Sequence, residues 1–181
     1  DDNGVADVYL FDRQLIQTIR VSVPFGDGDD SNDRSLGVTL SDDGTKVAFQ
    51  SWASNLVAGD TNDVLDVFYF EVGDTAPTRM SEIDGVGGNG PSALPAMSGD
   101  GSIVVFESLA SNLGEADTDG FWDAFTYDTE SGSLDAASPV GEPAASDVYT
   151  IGPFDASEFD DVPDNTWYTR GVGFLKANGI T

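Results

Sequence analysis

Acidic and amide side chains recur in this sequence at a spacing that suits the binding of a divalent cation. The pattern Asp-x-Asn/Asp-x-x-x-Asp occurs three times, with side-chain oxygens at its first, third and seventh positions. Calcium takes roughly six to eight oxygen ligands, which loops supply from alternate side chains and backbone carbonyls. The candidate calcium ligands are Asp1, Asn3 and Asp7 in the first loop, Asp60, Asn62 and Asp66 in the second, and Asp117, Asp119 and Asp123 in the third.

The same residues also suit a purely structural role. Asp and Asn side chains form turns by accepting hydrogen bonds from the backbone two residues further on. A turn leading into the strand that begins "DVF" at 66–68 would use these side chains without a metal. The net charge of −26 favours a cation, because clustered carboxylates repel one another unless a positive group lies nearby. The sequence leaves both interpretations open.

The three loops belong to a longer internal repeat. "SDDGTKVAFQSWASNL" at 41–56 returns as "SGDGSIVVFESLASNL" at 98–113, and "GDTNDVLDVFYFE" at 59–71 returns as "ADTDGFWDAFTYD" at 116–128. An earlier copy of the second phrase, "DDNGVADVYLFD", occupies 1–12. Self-similarity at a period of this length is typical of repeat architectures.

Each repeat predicts four short antiparallel strands, at about 35–41, 46–51, 66–71 and 78–82 in the middle copy. Val47 and Phe49 alternate onto one face, and the pairs Asp43-Gly44 and Asp100-Gly101 predict tight hairpins. Four strands per repeat are typical of a β-propeller blade. We therefore predict an all-β fold, an incomplete β-propeller of about two and a half four-stranded antiparallel blades with a short C-terminal helical segment.

The phrase around 41–71 resembles the blade of TolB-type, or PD40-type, β-propellers of exported bacterial proteins, and this resemblance covers residues 1–141. It implies a radial array of blades that serves as a scaffold or binding surface, and it specifies no ligand. The acidic loops are also similar to the short calcium loops of integrin-type blades.

The predicted domains are a half blade at 1–34, blades at 35–91 and 92–141, a linker at 142–158 and a C-terminal segment at 159–181. Because an unclosed array exposes strand edges and apolar faces, we expect the chain to be part of a longer protein.

The last 23 residues, "FDDVPDNTWYTRGVGFLKANGIT" at 159–181, predict an amphipathic helix. They resemble the opening of an S-layer homology domain, with Trp167, Tyr168, Phe174 and Leu175 at the positions of the family's first helix. The resemblance implies that a complete module would bind cell-wall polysaccharide and place the protein outside a bacterial cell, at its wall. The module is cut short here, and we do not expect this part alone to bind.

Three further features have structural interpretations. We expect the acidic loop "GDGDDSND" at 26–33 to be solvated, because it has no counterpart in the next repeat. Asn55 and Asn112 recur in "ASNL" and are expected to satisfy backbone groups at a turn rather than bind a ligand. Trp52, replaced by Leu109 in the next repeat, is expected to pack rather than to bind sugar.

Composition excludes several classes of function. The chain contains no His and no Cys, which rules out Ser-His-Asp and Cys-His catalysis, disulfides and a cysteine zinc site within it. With 33 acidic against 7 basic residues, nucleic acid and anionic membranes are poor partners. No apolar run approaches the ~20 residues that a membrane-spanning helix needs.

We therefore predict a non-catalytic, secreted or cell-surface propeller that acts as a structural or ligand-binding scaffold. Its predicted partners are cell-wall polysaccharide, through the completed C-terminal module, and an unknown protein or glycan; calcium is its candidate cofactor. The alternative is a substrate-gating or carbohydrate-binding propeller of a larger extracellular hydrolase.

Overall fold

A computed structural model describes residues 3–26, 30–114 and 120–137. Every described residue belongs to one compact unit, which spans Asp1–Glu142. The predicted C-terminal helix and linker therefore lie outside the described residues, as do three of the candidate calcium ligands, Asp1, Asp117 and Asp119.

The described residues form strands and no helix. In chain order the strands are β1 (Tyr9–Asp12), β2 (Gln17–Arg20), β3 (Ser35–Leu40), β4 (Lys46–Ser51), β5 (Asp66–Glu71), β6 (Thr78–Arg79), β7 (Glu82–Ile83), β8 (Val86–Gly87), β9 (Ser92–Met97), β10 (Ile103–Ser108), β11 (Asp123–Asp128) and β12 (Leu134–Ala136). The predicted all-β class is confirmed.

Two antiparallel four-stranded sheets carry the repeat. One has the order β3-β4-β5-β6 and the other β9-β10-β11-β12. Their registers correspond, because Phe49 pairs with Phe68 across β4 and β5, as Phe106 pairs with Phe125 across β10 and β11. The β1-β2 pair is equivalent to the outer half of such a sheet, so the described residues form an incomplete propeller of blade-like sheets. The short β7-β8 hairpin was not predicted.

The hairpins at the two Asp-Gly pairs form as predicted. Gly44 adopts φ of 74° and Gly101 φ of 70°, the left-handed conformation that such turns require. In the first hairpin the Asp43 carboxylate accepts hydrogen bonds from the backbone and hydroxyl of Thr45 and from the Ser41 hydroxyl. Asp100 accepts the equivalent bonds in the next repeat.

Alternate side chains of each sheet pack against different neighbours. Val47 and Phe49 lie in one core cluster with residues of the first repeat, whereas Ala48 and Tyr69 lie in a second cluster with residues of the third. The Phe49 and Phe68 rings stack in the first cluster, 5.6 Å apart, and the Phe106 and Phe125 rings stack in the second, 5.9 Å apart. Sheets therefore pack face to face along the chain, as a strand period of two requires.

The first repeat meets the second as the second meets the third. The Ser35 N–H donates to the Ala6 carbonyl at 2.7 Å, and the Ser92 N–H donates to the Leu65 carbonyl at the same 2.7 Å. The half blade therefore lies against the second repeat in the same way as the second repeat lies against the third.

Candidate functional site

In the first acidic loop the candidate ligands bond to one another and to the backbone. Asn3 Oδ1 accepts from the Val5 N–H at 3.0 Å, which is the turn geometry expected of Asx side chains. Asn3 Nδ2 donates to Asp7 Oδ2 at 2.9 Å, and the Ser22 and Ser31 hydroxyls each donate to Asp7 Oδ1 at 2.6 Å. Both oxygens of Asp7 therefore accept hydrogen bonds from protein groups.

The second loop repeats this network. Asn62 Oδ1 accepts from the Val64 N–H at 3.2 Å, and Asn62 Nδ2 donates to Asp66 Oδ2 at 2.9 Å. The Ser81 hydroxyl donates to Asp66 Oδ1 at 2.5 Å and accepts from the Val67 N–H, joining the start of β5 to the chain after β6. Turn formation, one of the two predicted roles, is thus observed at both loops.

A buried arginine completes the second loop. Arg79, 4% exposed, ends β6 and directs its guanidinium at the loop. Its Nη1 lies 3.1 Å from Asp60 Oδ1 and 3.8 Å from Asp66 Oδ2, and its Nε donates to Glu82 Oε2 at 3.1 Å. Gly87 leaves room for this side chain, since a Cβ there would lie 2.8 Å from Arg79 Cζ. The cation beside these carboxylates is therefore a guanidinium.

The two equivalent carboxyl groups, of Asp66 and Asp7, have pKa values shifted in opposite directions, because Asp66 is the more deeply buried. Desolvation raises the pKa of Asp66 to about 6 against the opposing effects of Ser81, Asn62 and Arg79. Asp7 is half-buried, and although desolvation is again the largest single effect, the combined hydrogen bonds from Ser22, Ser31 and Asn3 lower its pKa. A raised pKa can mark a reactive group, but Asp66 is 1% exposed and both its oxygens are bonded.

These contacts bear on where calcium could bind. In the first two loops the carboxylate and amide groups already bond to protein groups, and the second contains its own cation. Within the described ranges no group of three or more acidic side chains is arranged so that it could hold a metal ion. Of the three candidate ligands in the third loop, the structure describes only Asp123, which is buried at the start of β11. Calcium binding remains a prediction.

Sequence reasoning missed the serines and the arginine of this network. Ser22 and Ser81 follow Arg20 and Arg79 in the recurrent "RVS" and "RMS", so a signal was present. Arg20 pairs with Asp30. The prediction that 26–33 is a solvated loop is wrong at Ser31, which is 1% exposed and bonded to Asp7. Ser31 is needed there to satisfy a carboxylate that the fold partly buries.

The recurrent Asn of "ASNL" plays the backbone role predicted for it. Asn55 Nδ2 donates to the Asp30 carbonyl at 2.9 Å, and its Oδ1 accepts from the Asn32 N–H at 3.0 Å. Asn112 makes the same two bonds, to the Gly87 carbonyl and from the Asn89 N–H. Each Asn therefore links the chain that follows the second strand of its sheet to the segment that leads into the first strand of that sheet.

Trp52 packs as predicted. The guanidinium carbon of Arg34 lies 4.1 Å from the centre of the Trp52 ring, and the backbone N–H of Trp52 donates to the Arg34 carbonyl. This cation–π contact covers a ring face that a sugar would need.

The described residues contain no helix long and apolar enough to cross a membrane.

Comparison with solved structures finds two TolB structures and a protease. The chain is similar to TolB from Acinetobacter baumannii at 16% identity and a TM-score of 0.44, over 77% of this chain and 28% of that one. It is similar to a putative TolB from Agrobacterium tumefaciens at 19% identity and a TM-score of 0.42, over 72% and 40%. The tricorn protease matches at 11% identity and a TM-score of 0.42, over 72% and 10%.

The chain thus spans 40% or less of the length of each of these proteins. No protein-family model matches the sequence. No curated protein sequence matches it.

Proposed function

We propose that this chain is a non-catalytic scaffold of an extracellular bacterial protein, whose repeated sheets present loops for binding a protein or a glycan. The observation that supports this proposal is the repeated network of Asn, Asp and Ser. Its carboxylates accept hydrogen bonds from Ser and Asn side chains within the fold at equal positions in successive repeats. A catalytic acid or base must instead reach its substrate, and an active site makes one repeat differ from the others.

Attachment to the cell wall is the second part of the proposal. Its support is the S-layer-like phrase at 159–181, which lies outside the described residues. The test uses the longer protein to which we expect this chain to belong, with its C-terminal module complete. Its cosedimentation with purified cell walls is compared with that of a variant lacking everything after residue 141. We expect the whole protein to sediment and the shortened one to stay in solution. Equal sedimentation of both would contradict wall anchoring through this segment.

The scaffold role is tested separately. Peptide and glycan hydrolysis by the whole protein is measured beside its binding to a glycan array. Glycan or protein binding without turnover supports a scaffold. Turnover would replace the scaffold with the alternative, a substrate-gating or carbohydrate-binding propeller of a hydrolase.

Calcium is the proposed cofactor, and the sequence favours the third loop for it. That loop has Asp119 where the others have Asn3 and Asn62, and Ala136 replaces the arginine of the "RVS" and "RMS" segments. It thus has a carboxylate at all three pattern positions, where the other two loops have two carboxylates and one amide, and it lacks their arginine. Calcium would supply the opposing charge and bring loop oxygens together.

A further inference from the structure

An open strand edge and an open sheet face lie side by side at the first repeat. In the described part of the chain β1 pairs with β2 alone, whereas its counterparts β5 and β11 also pair with the inner strands β4 and β10. The Val21 N–H donates to the Val8 carbonyl, so the backbone groups of Val8 and Leu10 face β2. Those of Phe11, one residue on, face the other edge.

The open face belongs to β3. Val38 and Leu40 lie two residues apart on it, on the same side of the sheet as Val47, which pairs with Leu40, and they are 54% and 45% exposed. The strand equivalent to β3 in the next repeat is β9, which lies against β3, β4 and β5. Its Met97, the equivalent of Leu40, pairs with Val104 and packs against the core cluster shared with the second sheet. The second sheet, with its inner strands, therefore covers this face of β9. The corresponding face of β3 has no such inner strands in front of it within the described residues.

We propose that the outer edge of β1 and the exposed face of β3 bind a two-stranded antiparallel hairpin of the kind formed by β3 and β4. Its chemistry is that of an extended polypeptide with alternating apolar side chains on both sides of an Asp-Gly turn. It comes from a further repeat of this type, because the hairpins at 35–51 and 92–108 already lie in their own sheets. The proposal does not depend on wall attachment or calcium.

The molecule's own interfaces specify this occupant. The matching 2.7 Å bonds from Ser35 to Ala6 and from Ser92 to Leu65 set the first repeat against the second as a complete sheet would be. The second strand of the bound hairpin would then pair with β1 as β4 pairs with β5. Its strands would cover the face of β3, as the second sheet covers that of β9. Strand addition supplies main-chain hydrogen bonds, and the alternate side chains supply specificity.

Exposure of one aromatic residue supports the same occupant. Phe11 is 56% exposed, whereas its equivalent Phe70 is 1% exposed and pairs with Val47 of β4. An inner strand beside β1 would place an apolar residue at the position of Val47 next to Phe11. Covering Phe11 and the face of β3 removes apolar surface from water, which favours binding.

The test adds a synthetic peptide of residues 35–51 to the full 181-residue chain and follows backbone amide exchange. We expect exchange of the Phe11 amide to slow at least about tenfold, while the Leu10 amide, which faces β2, is unchanged. The Val38→Asp variant should lose this protection, and Val86→Asp, at an exposed residue of β8, should keep it. A peptide with Val47 and Phe49 replaced by serine serves as the unbound control.

Failure of the Phe11 amide to slow at about 1 mM peptide would overturn the proposal. So would protection that persists in Val38→Asp, or protection in the chain alone that grows with its concentration, which would identify a second copy as the occupant. Thermal melting checks that Val38→Asp is folded; if it is not, Leu40→Gln tests the same face.

Discussion

The guanidinium Nη1 of Arg79 lies 3.1 Å from Oδ1 of Asp60, and both side chains are 3% exposed. Asp60 Oδ1 accepts no hydrogen bond from the described residues, so the contact is an ion pair without ideal hydrogen-bond geometry. A buried pair of this kind adds little net stability, because desolvation offsets the attraction. Its loss is nevertheless costly, since removal of one partner leaves the other charged and buried.

We therefore predict that Arg79→Met lowers the free energy of unfolding by about 3–5 kcal/mol. Adding Asp60→Asn to that variant should restore part of the loss, because one uncompensated carboxylate is removed. Urea unfolding of the wild type, both single variants and the double variant measures this coupling. Strictly additive effects would show that the pair does not interact.

Steric displacement of Arg79 tests the same pair without changing a charge. Gly87→Ala places a Cβ 2.8 Å from Arg79 Cζ and should lower the free energy of unfolding by about 1–3 kcal/mol. Gly114→Ala is the matched control, since its nearest new contact, to Phe125, is an ordinary 3.8 Å. Equal effects of the two substitutions would argue against a tightly held guanidinium.

Asp66 should make stability depend on pH in the direction opposite to most carboxylates. Its pKa is about 6 in the folded state against about 3.9 unfolded, so its contribution is complete below pH ~4 and is lost as pH rises through ~6. The wild type should lose up to about 2–3 kcal/mol relative to Asp66→Asn between pH 4 and 7. Urea unfolding at several pH values measures this difference.

Asp7 is the internal control for that measurement. Its pKa is lowered, so its contribution is present above the unfolded pKa and is lost as pH falls. The difference between wild type and Asp7→Asn should therefore grow with pH. A difference of the same sign for Asp66→Asn would mean that Arg79 outweighs desolvation there.

Local pattern made most of the fold predictable. Alternating residues such as Val47 and Phe49, with the Asp-Gly pair before them, specify strand, face and turn within a few positions. The contacts of Asn55 and Asn112 were predictable because they act on backbone near their own sheets.

The charge network was less predictable. Ser81 and Asp66 are 15 residues apart and meet only through the register of β5 and the chain after β6, which a strand pattern does not specify. Arg79 lies in the interior because three acidic side chains surround it, and composition alone assigns arginine to the surface.

Calcium should raise the melting temperature if the third loop binds it. A tenfold excess over the dissociation constant adds about 1.4 kcal/mol, or a few degrees for a chain of this size. Asp119→Asn should abolish the shift, whereas Asp60→Asn should preserve it, because the second loop already contains Arg79. Melting is compared in millimolar calcium and in EDTA at equal ionic strength. The absence of a shift would rule out stabilisation by calcium.

Replacement of Leu94 should raise the free energy of unfolding, because Leu94 has a backbone conformation for which the equivalent position of the preceding repeat has glycine. Leu94 has φ of 55° and its equivalent Gly37 has φ of 65°, both at irregularities of the inner strands. A left-handed conformation costs a non-glycine residue about 1–2 kcal/mol, whereas glycine costs about 0.5–1 kcal/mol in unfolded-chain entropy. Leu94 is 66% exposed, so little packing is lost, and its N–H still donates to Gln50 Oε1. Leu94→Gly should therefore raise the free energy of unfolding by up to about 1 kcal/mol.

Gly37→Leu should lower the free energy of unfolding by about 2–3 kcal/mol, because a Cβ there lies 2.8 Å from Gln50 Cδ. Urea unfolding measures both, and a loss of stability in Leu94→Gly would show that the leucine side chain packs against the fold.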